Sequence, residues 1–459
     1  MKNNYKLTGL IFCILSLIFT PFFALNAQQS NPPNIIFIMA DDLGIGDLGC
    51  YGQEMIQTPE IDKMASEGVR FTQVYAGSSV CAPTRSSIMT GMHNGHNRVR
   101  DNIPHGVFLR PDDITVAEVL KQAGYTTGAI GKWSLGNPGS WGTANMQGFD
   151  YFYGHLNQDQ AHFYYPDYLW ENDEIDLLSG NRGTKRNEYT HHNFTKKALS
   201  FIDQNKRKPF FLYLAYTLPH FSDFDKNTPE TLIVPSDEPY SNKDWPQVEK
   251  NYASMVNMID TDVGKIMDLI KELGLDSNTI IFFTSDNGPN NRPSHDVEFF
   301  ESNGIYRGYK RDMYEGGIRI PMIVRWPGKV PKGKTSDAIW AFWDFLPTAA
   351  DLAGLPFNNN TDGISILPTL LGKEQKLHDY LYWDYGHVRD EFMQAVRYGD
   401  YKGIRYINKE GTTFELFNLA KDEGEEKNIA KKEPAMVEKI IAMMEEAYVY
   451  DESYPRKIK

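Results

Sequence analysis

The run Cys81-Ala82-Pro83-Thr84-Arg85 sets a thiol four residues before a guanidinium, with a proline between them, in the pattern C-x-P-x-R. Two acidic clusters stand far from it in the chain, Asp41-Asp42-Leu43-Gly44 and Asp286-Asn287-Gly288-Pro289. Asp41, Asp42, Asp286 and Asn287 are all oxygen ligands. Brought together they suit a hard divalent cation such as calcium, whereas zinc would call for histidine or thiolate. Taken singly, each cluster reads as a helix cap or a turn. Positive charge or protons come from Arg85, from Lys132 in Gly131-Lys132-Trp133, from Lys310 in Arg307-Gly308-Tyr309-Lys310, and from His220, which closes Tyr216-Thr217-Leu218-Pro219-His220. Alone, a lysine reads as a solvated surface group and a histidine as a residue without a catalytic role. A nucleophile, a metal and several cations in one pocket would suit attack on an anionic group.

These residues need elements to bring them together. Residues 34–40 and 279–284 are short continuous apolar runs that read as buried strands of a parallel sheet, and the acidic clusters follow them directly. Residues 210–215 and 320–324 read likewise. Between them, 115–120 opens with a capping-box spacing and stops near Gly124, 252–273 is apolar at helical spacing, and 345–352 is a shorter helix. Strands alternating with helices predict an α/β fold: a large doubly wound mixed sheet flanked by helices, with ligands at the carboxyl ends of its strands. After about Gly372, short strands at 380–383, 394–397 and 413–417 and a helix over 434–448 predict a smaller C-terminal antiparallel sheet plus helix. The domain reading is a leader over 1–27, a catalytic domain over 28–371 and a small subdomain over 372–459.

A chain of 459 residues can bury one large core and a smaller one. Its net charge of −13 makes nucleic acid an unexpected partner, and an anionic substrate would need a locally basic pocket. Lys2 and Lys6 precede an apolar run over 7–25 that ends near Asn26-Ala27-Gln28. It reads as a secretory signal peptide cleaved after about Ala27; Pro21 and the small residue at the exit favour cleavage over a membrane anchor. The expected mature protein is exported, periplasmic or extracellular, and not held in a membrane. It keeps two cysteines, Cys50 and Cys81, which in an oxidising compartment could pair.

The motifs D-D-L-G, C-A-P-T-R, G-K-W, T-L-P-H, S-D-N-G-P and Y-E-G-G-I-R-I-P-M-I-V-R-W-P-G, with F-E-L-F-N-L at 414–419, occur in this order. They resemble the type I, formylglycine-dependent sulfatases of the alkaline phosphatase superfamily from about Asn34 to the C-terminus. The resemblance implies that Cys81 is oxidised to formylglycine by a formylglycine-generating or sulfatase-maturating enzyme. It implies one calcium ion held by Asp41, Asp42, residue 81, Asp286 and Asn287, with Arg85, Lys132, His220 and Lys310 acting around it. One hydroxyl of the hydrated aldehyde would attack sulfur and the other would later expel sulfate, while His220 or Lys310 protonates the leaving oxygen. One position departs from the pattern. Many members read G-K-W-H-L-G, where the histidine takes a proton in sulfate release; this chain has Ser134 there, which has no useful basicity. His162, His93 and His96 are the candidates to replace it.

The stretch 149–170 is crowded with aromatic residues, among them Phe149, Tyr153, Tyr164, Tyr168 and Trp170. It reads either as a core-packed insert or as a platform for sugar faces. His162, and His93, Arg98 and Arg100 in the run 93–100, would add hydrogen bonds and charge, so these four with Ser134 are the expected substrate contacts. The expected substrate is a sulfated carbohydrate. Ser134 together with the aromatic stretch resembles exported sulfatases acting on galactose or N-acetylgalactosamine. A formylglycine-dependent phosphonate or phosphate diester hydrolase and a non-catalytic sulfated-glycan-binding protein stay open at this point.

Overall fold

A computed structural model describes residues 1, 32–102, 106–222, 231–291, 295–357 and 360–454. The expected leader lies, Met1 apart, outside the described residues. The fold is that of the unit beginning at Pro32.

In chain order the strands of the large sheet are β1 (Asn34–Asp41), β2 (Val69–Tyr75), β3 (Thr126–Lys132), β4 (Tyr151–His155), β5 (Tyr168–Glu171), β6 (Glu174–Leu177), β7 (Phe210–Pro219), β8 (Thr279–Ser285), β9 (Arg319–Arg325), β10 (Lys334–Ser336) and β11 (Trp340–Ala341). Their spatial order is β10-β2-β9-β8-β1-β7-β3-β4-β5-β6, with β11 beside β2. The centre, β8-β1-β7-β3-β4, is parallel. β9 runs antiparallel to both β8 and β2, and β5 and β6 extend the far edge antiparallel, so the sheet is mixed, as expected.

Every residue of β1 is buried because helices cover both faces. Its side chains alternate between two cores, as the period of two demands. Ile35, Phe37 and Met39 face the core shared with helices α2 (Cys81–Thr90), α3 (Val116–Gln122) and Phe345–Leu352. Ile36, Ile38 and Ala40 face the other, shared with α1 (Pro59–Glu67), α4 (Thr190–Asn205) and α5 (Gln247–Glu272). Phe37 packs against the rings of Tyr213, Phe282, Phe342 and Phe345. Truncating it to alanine would cost about 3–5 kcal/mol, because that close-packed ring cluster cannot collapse onto the gap. The capping box read at α3 is present: Thr115 Oγ1 accepts from the Glu118 N–H, and Glu118 returns the bond to the Thr115 N–H. The chain turns out of that helix through Gly124 at φ +79°.

The C-terminal sheet has the order β12 (Leu381–Tyr385), β13 (Glu391–Tyr398), β14 (Tyr401–Asn408) and β15 (Gly411–Asn418), all antiparallel. Ile440, Met444 and Ala447 of helix Pro434–Ala447 pack on Tyr382, Val396 and Leu416. β14 is an addition to the expected strands. Its sequence hides because Lys402 and Arg405 interrupt the apolar pattern, yet both are buried and paired, Lys402 with Glu315 and Glu425 and Arg405 with Glu445. The aromatic stretch leans on the cores: Phe149, Phe152, Tyr153 and Tyr164 are buried, and Tyr151, Tyr165 and Trp170 pack half-buried against them. No helix among the described residues is long and apolar enough to cross a membrane.

Candidate active site

The strand order β8-β1-β7-β3 arranges the chemistry along one sheet edge. Asp286 and Asn287 follow β8, Asp41 ends β1 and Asp42 follows it, His220 follows β7, and Lys132 ends β3. Asp42 sits at φ +67°, a left-handed conformation that aspartate tolerates better than most residues. The turn is laced to its neighbour: the Asp42 N–H donates to Asp286 Oδ1 at 3.1 Å, and the Leu43 N–H to Ser285 Oγ at 2.9 Å.

Cys81 is the first residue of α2, a helix buried along its whole length, which places Arg85 one turn deeper. Arg85 binds Asp286 Oδ2 at 2.7 Å and the Lys132 carbonyl at 2.8 Å. Asn102, which sequence reading passed over, accepts the Ala82 N–H at 2.8 Å and so occupies one of the free donors of the first helical turn. Nothing local in the sequence marks that role; it depends on a loop that returns twenty residues later.

Charge in the centre is closely balanced. Lys132 Nζ lies 2.8 Å from Asp41, and Lys310 Nζ 2.7 Å from Asp42. Burial opposes ionisation of Asp41, but Lys132, His220, His162 and Arg85 together hold its pKa well below the usual carboxylate range. Burial and the neighbouring Asp41 push Asp286 up to about 6. The Cys81 sulfur lies 3.4 Å from both Asp41 Oδ1 and Lys310 Nζ. Burial, then Asp41, raise its thiol to about 12, so the unmodified side chain is a poor nucleophile near neutral pH.

Ligand atoms of Asp41, Asp42, Cys81 and His220 lie within 4.8 Å of one another. Asp286 and Asn287 bond to Asp42 beside them, so the oxygens of Asp41, Asp42, Asp286 and Asn287 form the part of the centre that fits a hard cation. Asn287 Oδ1 beside them is buried with no hydrogen-bond partner, a cost that a cation would relieve.

Two histidines complete the centre. His162 and His220 stack at 3.5 Å between ring centroids, nearly parallel. His220 Nδ1 faces the Phe221 carbonyl at 2.6 Å, so Nδ1 carries the proton and Nε2 is left toward Asp42, 3.3 Å away. Burial, with His162 and Lys310 next, lowers the His220 pKa well below its ordinary value. Lys132 Nζ reaches His162 Nε2 at 2.8 Å. Ser134 is buried nearby at φ +66°.

The remaining expected contacts lie elsewhere. His93 and His96 stack on each other and turn to Asp362. Arg98 binds Asp451 at 3.1 Å and Ser453 at 2.9 Å, and Arg100 binds the Val449 carbonyl at 2.5 Å. The two histidines tie the segment after α2 to Asp362, and the two arginines tie it to the chain's C-terminal end, instead of lining the centre. Spacing in sequence could not show partners about 270 and 350 residues away. Cys50 and Cys81 are both free thiols, so the disulfide alternative is absent.

The sulfatase family model matches residues 33–355, and the C-terminal model of N-sulphoglucosamine sulphohydrolase matches residues 304–451. N-acetylgalactosamine-6-O-sulfatase of Bacteroides thetaiotaomicron is 31% identical over 92% of this chain and 94% of its own length. Arylsulfatase G of Rattus norvegicus is 32% identical over 87% of this chain and 80% of its own. The crystal structure of Ps i-CgsB in complex with k-i-k-neocarrahexaose superposes with a TM-score of 0.77 at 29% identity, covering 91% of this chain and 92% of that one. With the order of its motifs, the geometry of its centre and a family model spanning more than half of its length, the chain belongs to the sulfatase family.

Proposed function

We propose that this sulfatase removes sulfate from a sulfated carbohydrate of the galactose or N-acetylgalactosamine type, working after export, with residue 81 as formylglycine and one calcium ion. The observation that carries the reading is the setting of residue 81. It stands at a helix start between Asp41 and Lys310, at 3.4 Å from each, where an unmodified thiol would be inert. Matured by a formylglycine-generating or sulfatase-maturating enzyme, this position would supply two geminal hydroxyls, one to attack sulfur and one to drive sulfate release. Calcium held by Asp41, Asp42, residue 81, Asp286 and Asn287 would supply fixed positive charge for the oxygens of the reacting group.

The chain's own residues divide the remaining work. Lys132 and Lys310 neutralise the sulfuryl oxygens, and Arg85 holds Asp286 and the end of β3 in place. His220, its Nδ1 proton committed to the Phe221 carbonyl, keeps an unprotonated Nε2 beside Asp42 that would accept or relay a proton, and the protonated Lys310 next to it would supply the proton for the leaving oxygen. His162 stands in for the histidine missing at Ser134, since of the three candidates it alone touches Lys132 and His220. The sugar assignment leans on the named N-acetylgalactosamine-6-O-sulfatase and on the carbohydrate-bound structural neighbour.

The test is sulfate release from a panel of 3-, 4- and 6-sulfated galactose and N-acetylgalactosamine, using protein whose residue 81 is shown by mass to be converted. Release from at least one member is expected. No release from any member contradicts the sugar assignment.

A further inference from the structure

Ser134, Asn137 and Gln158 each keep a buried side-chain oxygen with no hydrogen-bond partner. All three line one small cavity, of about 20 Å³, together with Ala82, Asn102 and Asp159. The residues come from four places: the start of α2 beside residue 81, the segment after α2, the loop after β3 and the loop after β4. A space of this size takes a single water-sized group. A buried oxygen without a partner is costly in the free protein, and three around one cavity mark a place built for a polar guest. A hydroxyl donates one hydrogen bond and accepts two, so it can give its proton to an amide oxygen of Asn137 or Gln158 and accept from Ser134.

The charge around the cavity is the opposite of that at the sulfur end. Lys132, Lys310 and Arg85 crowd the Asp41–Asp42 side. Among the described residues the cavity lining holds no lysine, arginine or histidine. It includes two carboxylates: Asp101, which is paired with Arg389 at 3.0 Å, and Asp159, which is exposed and has no such partner among the described residues.

We infer that this cavity is a hydroxyl-recognition subsite that receives one ring hydroxyl of the sugar bearing the sulfate, and that Asp159 makes the preferred ring singly sulfated and otherwise uncharged. This rests on the carbohydrate sulfatase reading and narrows its substrate class. A uronate, or a ring with a second sulfate, would set an anion against Asp159.

The experiment uses the full, matured chain. Gln158→Ala and Asn137→Ala are assayed on the preferred singly sulfated monosaccharide, with inorganic sulfate as a competitive inhibitor that reports the anion pocket without the sugar. KM is expected to rise about tenfold or more in at least one of the two variants, since the hydroxyl's single proton reaches one amide oxygen, while the inhibition constant of inorganic sulfate stays within about twofold. Wild type is expected to prefer the singly sulfated ring over its disulfated counterpart by about tenfold, and Asp159→Asn to shrink that preference. An unchanged KM in both variants would show a cavity that holds an ordered water only, and would overturn the inference. So would equal losses for sugar and inorganic sulfate, or equal rates on singly and doubly sulfated rings. In those cases sulfate is still released and the broader reading stands; no release from any sugar overturns both.

Discussion

Asp41, Asp42, Cys81 and His220 bring ligand atoms within 4.8 Å of one another, and so do His93, His96 and Asp362. The two groups share residue types and differ in what surrounds them. The first is wholly buried, its members stand at strand ends or a helix start, and three cations are pressed against it. The second lies on loops, with His96 exposed, and its valences are used within the fold. His93 Nδ1 accepts the Gly95 N–H, which puts the ring's proton on Nε2 and leaves no lone pair there for a metal. Asp362 meanwhile takes the His93 N–H and His96 Nδ1. A cluster becomes a reaction centre when its backbone supports force unsatisfied polar groups together, and a brace when each group already has its partner.

That contrast can be broken by mutation. Cys81→Ala is expected to lower sulfate release by roughly 10⁴-fold or more, whereas His93→Gln should stay within about threefold. Comparable losses in steady-state assays would erase the distinction between the two groups. Lys132→Ala, which removes a cation from Asp41 and a partner from His162, should cost about 10²–10³-fold in kcat. His162→Ala should cost less, about 10–10²-fold, and should show a burst of desulfated sugar followed by slow turnover in rapid-mixing assays. Kinetics identical to wild type would remove His162 from the mechanism.

The smallest effect concerns stability at the second group. Burial lowers the His93 pKa to about 4, from an ordinary value of about 6.5. Between those values the unfolded chain binds a proton that the folded chain refuses. The contribution is therefore full above about pH 6.5 and is lost as pH falls toward 4, by roughly 3 kcal/mol at most. His93→Gln should flatten the fall in Tm over that window relative to wild type, and an unchanged profile would place the buried proton deficit elsewhere.

The same contrast explains what could be read in advance. The metal-side residues were legible because β1 and β8 are central parallel strands, whose unbroken apolar runs announce where the acidic turns begin. Lys132 was legible as a motif but its strand was not, since Thr126–Lys132 contains two glycines and two threonines and gains its strand character from neighbours on both sides. β14 was hidden by Lys402 and Arg405, whose burial depends on glutamates from other elements. His93, Arg98 and Arg100 had the right chemistry for a sulfated ligand, but Asp362, Asp451 and the Val449 carbonyl reach them first. Ser134 was an expected contact, but Asn137 and Gln158 beside it were invisible for the same reason: ordinary polar residues become informative when the fold leaves each without a partner around one cavity.

The central claim is that residue 81 works as formylglycine. Its most direct test is the mass of the tryptic peptide spanning residues 71–85, taken from protein produced together with a maturating enzyme. The mass of the aldehyde or its hydrate is predicted. An unmodified thiol, under conditions that convert a control sulfatase, would contradict the account.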